Sequence, residues 1–468
     1  MPPMTAYFSG AEIIAATRGQ LHQPGAWPQL LGISTDSRTS QTGQLFIPLK
    51  GEHHDGHDFI GKAMARGVAG LLVAESWWRS HPRLVPSEVM VISVPNTLTA
   101  LGDLAQAWRQ RFSLPVVALT GSCGKTTTKE MAAQVAQVVY RVLKNEMNFN
   151  NLIGLPQTLL DLNATHQVAV VEMGMNHFGE IHRLTQIAAP TIGVLTNIYP
   201  AHTEGVGDVE GVARAKAELL EGLAANQLLI YNQDDLRVAR LAQRFPGRTL
   251  SFGLSTPAQV RAFNRRNHGI AGQEVGISFP GQTCSVFLKI SGLHHLYNSL
   301  AAAAVGLALG LSAPQIVAGL ESFRPLDKRT QLLTLKSGVH IINDSYNANP
   351  GSMAMALRTL ADLKNQGRAV AVLGDMLELG AGAIQAHQEL GEQAGRYKLD
   401  FLVTCGAYGD LVAEAARAAG MSAGQACAVP SHAEGAKILK GFLKPGDWLL
   451  VKGSRGMRME NLIKALGP

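Results

Sequence analysis

From Val116 onward, short runs of β-branched and aliphatic residues alternate with longer stretches whose apolar positions recur at helical spacing. The runs VVALT, VAVVEMG, IGVLTNI and LLIYN each break into a loop rich in Gly, Asn, Asp or His. Strands alternating with amphipathic helices build a parallel sheet, and a strand buried on both faces reads as a continuous apolar run. A second series starts near Ile341, where HIINDSY, AVAVLGD, FLVTCG and WLLVKGS are separated by helical segments such as SMAMALRTLADL and HQELGEQAGR. The pattern thus predicts two successive α/β domains. Between them, residues 251–290 alternate apolar and polar over short stretches, which predicts a β-insert, and ESFRPLDKRT reads as a linker.

The first ~95 residues differ, with two Gly/His-rich loops and only brief apolar runs such as QLFIPL and GLLVAES. They read as a separate small α/β domain. The expected division is 1–95, 96–325 and 326–468: a small N-terminal α/β domain, a central P-loop domain on a parallel sheet with the β-insert, and a C-terminal Rossmann-like domain. The longest apolar stretch, Leu300 to Leu311, is rich in Ala and Gly and shorter than the roughly 20 residues a bilayer requires. It predicts a buried helix. No internal repeat, low-complexity tract or heptad array is visible.

Composition narrows the class. A chain of 468 residues with 46% apolar content buries several cores. Lys and Arg number 41 against 35 Asp and Glu, a formal charge of +6 with no run of five like charges, so a nucleic-acid tail is not expected and the excess fits phosphate-bearing ligands equally well. Cys123, Cys284, Cys405 and Cys427 are scattered without a CxxC pair, which argues against a zinc ribbon and a disulfide scaffold and for a reducing compartment. MPPMTAYFSGAEIIAATRG lacks the charged start, apolar middle and small-residue cleavage site of an export signal. A cytoplasmic protein without membrane insertion is expected, and a monomer, since nothing resembles a coiled coil or a long apolar edge.

The candidate chemistry begins with VVALTGSCGKTTTKE, a strand, a glycine-containing turn and a helix start. Gly121, Ser122, Cys123, Gly124, Lys125, Thr126 and Thr127 form a phosphate cradle: backbone N–H groups at the helix start attract anions, Lys125 reaches terminal phosphates and the Thr126 hydroxyl suits Mg²⁺. The common P-loop has Gly six residues before the lysine; here that residue is Leu119. The alternative is an ordinary capped strand-to-helix turn. Glu172 closes the run VAVVE, at the end of a strand where α/β sheets bind ligands, and is a candidate Mg²⁺ ligand. His202, after IGVLTNI, is either a metal ligand through a neutral ring nitrogen or a loop histidine bonded to backbone. By composition Lys216 is an ordinary surface lysine.

Taken together, TGSCGKTTTKE, NFNNLIGLP, VVEMGMNHFGEI, TNIYPAHTEG with AKAE after it, GLHHLYNSLAAAAV, NDSYNANPGSM, VLGDMLELG and VKGSRGMRMENL resemble the Mur ligase family, in the same order over about residues 30–465. Within it, NDSYNANP with GDMLELG looks like the member that uses ATP to join D-alanyl-D-alanine to UDP-N-acetylmuramoyl-tripeptide through an acyl phosphate. The resemblance implies roles residue by residue. Lys125 and Thr126 match the phosphate and metal positions, Glu172 the ligand of a first Mg²⁺, and His202 the histidine of a second. Lys216 matches a lysine carbamylated by CO₂, which reverses the surface reading. Asn148 and Asn151 match a substrate-side loop, and His294 and Asn298 a motif facing adenine. Arg329 and Asp344 match residues that bring the C-terminal domain onto the nucleotide, and Asn347 and Asn349 a loop lining the amine-substrate site. STDSR and GEHHDGHDFI resemble uridine-diphosphate segments, nominating Ser37, Arg38 and His57.

Three positions depart from the family pattern: His295 for an Asn, Asn343 for an acidic residue and Lys328 for a Gly. Competing readings are a sister ligase of different amine specificity, a P-loop GTPase and a nucleotide-sensing scaffold. The GTPase would usually carry an NKxD base-reading motif, which is absent here.

Overall fold

The computed structural model describes residues 6–364 and 367–467; the first five residues of the stretch read as lacking an export signal lie outside them. Beside a two-stranded antiparallel sheet of Tyr7–Phe8 and Leu30–Leu31, three larger sheets follow one another along the chain among the described residues. In the N-terminal sheet, Gln20–Gln23, Met90–Val94, Gly70–Ala74, Leu45–Phe46 and Ile33–Ser34 lie side by side, parallel except at the first pair.

The central sheet has nine strands, in the order Gln282–Leu288, Gln273–Phe279, Val260–Asn267, Arg248–Gly253, Leu228–Asn232, Ile192–Leu195, Val116–Thr120, Val168–Glu172 and Val142–Lys144. The predicted β-insert is therefore not a separate layer. Val260–Asn267 continues the parallel sheet and only the last two strands turn antiparallel, so backbone hydrogen bonding is unbroken from one edge to the other. The apolar runs have the burial that periodicity demands: Val116 and Ala118 face one core, Val117 and Leu119 the other. The Ala-rich stretch lies in the helix Leu293–Ala308, whose small buried side chains let it pack closely on the helix Lys125–Ala136.

The C-terminal sheet runs Gln331–Thr334, His340–Asp344, Trp448–Lys452, Ala369–Gly374, Phe401–Cys405 and Ala426–Val429, parallel except at the first pair. Of the expected linker, Glu321 and Ser322 finish the helix Ala313–Ser322, and Glu321 accepts the Phe287 N–H of the edge strand. The connection proper is 323–330.

In the central sheet the chain leaves Val116–Thr120 toward one side and later returns to its other side, so the carboxyl end of that strand opens a crevice. Lys452 and Asp344 end adjacent strands of the C-terminal sheet. Both strand-end rims meet in one cleft of about 1000 Å³. Among the described residues no helix is long and apolar enough to cross a membrane.

Candidate active site

The phosphate loop is braced from the neighbouring strand. Cys123 N donates to Asn197 Oδ1 at 2.8 Å, Asn197 Nδ2 returns a bond to Cys123 O at 3.0 Å, and Ser122 Oγ donates to Tyr199 O at 2.8 Å. Gly124 has φ +75°, and a Cβ there would stand 2.4 Å from Asn298 Oδ1, so the turn requires glycine. A Cβ on Gly121 would collide with Thr196 Oγ1; this glycine lies beneath the cleft and does not line it. Lys125 Nζ donates to Gly121 O at 2.9 Å, and burial holds its amine below the usual lysine range, partly countered by Glu172.

Glu172, 2% exposed, has one carboxylate oxygen held and one without a partner among the described residues. Asn150 Nδ2 donates to Oε1 at 2.7 Å, while Oε2 is buried and unpartnered. Its backbone is clasped by Asn145, whose Oδ1 accepts Glu172 N at 2.9 Å and whose Nδ2 donates to Glu172 O at 3.1 Å. Sequence reasoning nominated Asn148 and Asn151 and missed Asn150. Asn148 lines the cleft, and Asn151 also accepts Gly154 N at the start of a helix. If Glu172 holds Mg²⁺, as the sequence reading expects, replacing Asn150 by Ala weakens Mg²⁺ binding about tenfold, because partners of a ligand fix its orientation. A magnesium titration of nucleotide binding checks this, and an unchanged midpoint would remove Asn150 from the site.

Lys216 is 1% exposed, in the helix Val209–Glu221, so the surface reading is wrong. Burial, reinforced by the like charge of Lys125, pushes its amine far below the usual lysine range. It does not line the cleft but is coupled electrostatically to Cys123, Lys125 and Glu172. A neutral lysine amine is the form that attacks CO₂, and a carbamate there would replace repulsion of Lys125 by attraction. His202, in the left-handed region at φ 55°, lines the cleft. Its Nδ1 lies 2.8 Å from Glu378 Oε2, and this contact holds the Glu378 carboxyl below its usual range against the opposing effect of burial. Glu378 was not among the nominated residues, although it stands in the GDMLELG motif.

The C-terminal rim touches the phosphate loop directly. Cys123 Sγ donates to Asn349 Oδ1 at 3.0 Å, and Asn349 also caps the helix Pro350–Leu363. Thr203 Oγ1 donates to Leu379 O at 3.0 Å, beside the His202–Glu378 contact. Lys452 Nζ bonds Asp344 Oδ2 at 2.5 Å and Asn347 O at 2.9 Å, and Asp344 Oδ1 accepts Thr330 N at 2.9 Å. The Arg329 guanidinium lies 3.8 Å over the Tyr346 ring. His294 reaches Thr330 Oγ1 at 3.0 Å, and burial lowers its pKa to about 4, with Asp344 opposing the shift.

The departures from the family pattern have local explanations in two cases. Lys328 adopts φ 59°, a conformation glycine adopts at no cost, and its Nζ pairs with Glu460 at 2.9 Å. Asn343 is buried between Gln331 and Ser345 and faces away from the cleft lining. His295 is 2% exposed with both ring nitrogens unpartnered at the cleft wall.

Ser37, Arg38 and His57 stand apart, on the N-terminal domain. Ser37 is buried and Arg38 is exposed and paired with Asp36 at 2.7 Å. His57 Nδ1 lies 2.6 Å from Asp55 Oδ1 and its Nε2 accepts Ala74 N at 3.0 Å. With both ring nitrogens engaged, His57 shapes its loop and offers no ring nitrogen to a ligand. Gln157 Nε2 of the central domain donates to Thr35 Oγ1 at 2.5 Å, tying this loop to the helix Gly154–Leu160 that follows the Asn-rich one.

Among the described residues no group of three or more His, Cys, Asp or Glu gathers as a metal cage. The donor set fits Mg²⁺ nonetheless, since that ion commonly takes one or two carboxylates and completes its shell with water and phosphate oxygens. The orphaned Glu172 oxygen and the Thr126 hydroxyl, both on residues lining the cleft, are such a partial set.

Comparison with known proteins agrees with this geometry. Residues 29–109 match the Mur ligase family catalytic domain, 119–306 the Mur ligase middle domain and 328–455 the Mur ligase glutamate ligase domain. The chain is 38% identical over 440 residues to UDP-N-acetylmuramoyl-tripeptide--D-alanyl-D-alanine ligase of Bacillus subtilis, covering 93% of each. It is similar to a crystal structure of MurF from Acinetobacter baumannii, with 32% identity, TM-score 0.90 and 99% of both chains covered. The structure of MurF ligase from Thermotoga maritima in complex with ADP matches with 27% identity and TM-score 0.81, over 92% of this chain and 96% of that one. Three matched domains in order, and a relative of this identity over nearly its whole length, establish that the chain belongs to the Mur ligase family.

Proposed function

We propose that this chain joins D-alanyl-D-alanine to UDP-N-acetylmuramoyl-tripeptide at the cost of ATP, yielding the UDP-N-acetylmuramoyl-pentapeptide precursor of peptidoglycan, ADP and phosphate. The observation that supports it best is that one cleft takes Lys125 and Glu172 from the central domain and Arg329, Asp344 and Asn349 from the C-terminal one. A nucleotide and an amine held on opposite walls meet there. The ADP in the Thermotoga maritima relative supports ATP use, and the names of the relatives support the substrates. The three sheets divide the labour: residues 1–95 take the uridine diphosphate, 96–325 take ATP and 326–468 bring the amine. Work in the cytoplasm as a monomer is part of this reading.

A carboxylate resists attack because it is anionic and lacks a good leaving group. The tripeptide carboxylate takes the γ-phosphoryl group of ATP and becomes an acyl phosphate; the dipeptide amine then adds to the acyl carbon and phosphate departs. Lys125 and the backbone N–H groups of 121–127 neutralise charge that develops on the phosphoryl oxygens. Thr126, Glu172, His202 and a carbamylated Lys216 would hold two Mg²⁺, which supply Lewis-acid stabilisation of the phosphates. No protein nucleophile is needed. The intermediate hydrolyses easily, so the walls must exclude water, and the contacts Cys123–Asn349 and Thr203–Leu379 are where the C-terminal domain closes. Scattering curves with and without MgATP and the nucleotide-peptide are expected to differ; superimposable curves would refute closure.

The deciding experiment is phosphate release from MgATP in an omit-one series, with the product weighed by mass spectrometry. Release that needs both substrates, with a pentapeptide product, supports the assignment. Release with another amine moves the chain to a sister specificity, and release from ATP alone defeats the ligase reading.

A further inference from the structure

Four cationic side chains of the C-terminal half line the cleft: Arg329, Arg358, Lys452 and Arg455. Lys452 is almost wholly buried and committed to Asp344 and Asn347 O. Arg329 is stacked on Tyr346. Arg358 is exposed and, among the described residues, in no hydrogen bond or salt bridge, but its charge is directed toward the Tyr297–Asp234 wall. Arg455 presents a largely free fork on the C-terminal wall itself: its side chain is 58% exposed, Nη1 bonds Glu460 Oε1 at 3.0 Å, and the guanidinium lies 6.0 Å from the Tyr346 ring. Lys328 shares that same carboxylate, so two cations face one anion and a positive charge is left over.

The position of Arg455 is set by backbone bonds. Arg455 N donates to Asn347 Oδ1 at 3.4 Å, while the adjacent Ser454 accepts Leu377 N at 2.9 Å and donates its own N–H to Asp375 O at 3.0 Å. The Arg455 loop thereby knits together segments 347–349 and 375–379. These are the segments that touch the central domain, the first at Cys123 and the second at Thr203 and His202. Arg455 consequently stands on the loop that joins the two contacting segments, lining the same cleft as Lys125 and Glu172.

We infer that Arg455 binds the terminal carboxylate of the incoming amine substrate, and that the distance from this guanidinium to the reacting acyl carbon measures the amine's length. This rests on the ligase reading above. The amine substrate of that reading has a nucleophilic amine at one end and an anion at the other. Two extended residues span about 7 Å, so anchoring the anion sets where the amine falls. A guanidinium fork matches a carboxylate bidentately, which a lysine ammonium does not.

The test measures KM and kcat for D-alanyl-D-alanine and for its C-terminal amide with the wild-type protein, Arg455→Ala and Arg455→Lys. The amide requires no variant and therefore no assumption about folding. Wild type is expected to lose about 10- to 100-fold in kcat/KM with the amide, mainly through KM. Arg455→Ala should lose about as much with the free acid and little more with the amide, and Arg455→Lys should recover only part. KM for ATP should stay within about twofold of wild type. Equal use of acid and amide by wild type overturns the inference, as do losses that multiply when the variant meets the amide. Absence of any amide-bonded product from wild type with either amine instead overturns the ligase reading, and this inference with it.

Discussion

Lys125→Met is expected to lower kcat by about 10²- to 10³-fold, the scale on which removal of one preorganised charge-stabilising donor acts. The amine sits at the mouth of the phosphate loop and is already below its usual basicity through burial, so exchanging it for an uncharged side chain of similar length removes no stabilising ion pair. Thermal unfolding of the variant should match wild type while phosphate release in the presence of both substrates collapses. The effect should fall on kcat more than on the KM of the amine, which the proposed function assigns to the other wall. Turnover within about tenfold of wild type would mean that Lys125 does not touch the transferring phosphoryl group.

Lys216→Ala is expected to cost about 100-fold or more, on the reasoning that it removes an anionic oxygen ligand from a site with few carboxylates. Its distinctive outcome is rescue. Ala leaves a space in a fully buried position, and acetate or formate placed there restores a carboxylate in the position of the carbamate. Lys216→Met fills the same space with an apolar stem, so it should be equally inactive and should not be rescued. Depletion of dissolved CO₂ should lower wild-type activity in parallel. A fully active Lys216→Ala ends the carbamate reading, and an inactive one that no short carboxylate restores leaves the lysine with a packing role.

Much of the site is readable without coordinates because its parts are local. The phosphate loop needs only a strand, a short turn and a helix start in succession, and all three lie within Val116–Ala136. Glu172 was recognisable as the polar residue that ends an apolar run. Asn150 was not distinguishable from its neighbours in NFNNL, since three asparagines in one loop are alike by type and only the turn geometry decides which one faces Glu172. His57 was nominated by its place in a polar Gly/His loop, and only the structure shows its ring nitrogens engaged by Asp55 and Ala74.

What the amino-acid order determined by itself was whatever depends on neighbours along the chain: the strands and helices, the division into three α/β units, the anion-binding turn and the strand-end carboxylate. The tertiary structure decided what depends on residues far apart meeting. Lys216 becomes a buried amine of lowered basicity only because its helix packs on Glu180–Ala188, Thr203–Val206 and Ile192–Leu195, within reach of the Lys125 charge, and no feature within its own segment distinguishes it from a surface lysine. The meeting of Cys123 with Asn349, of His202 with Glu378, and of Arg455 with the loops between them likewise joins segments separated by more than a hundred residues or by a domain boundary. Desolvation and charge coupling act through space, so the chemistry of those side chains was set by the fold, whereas periodicity acts along the chain and was legible from the start.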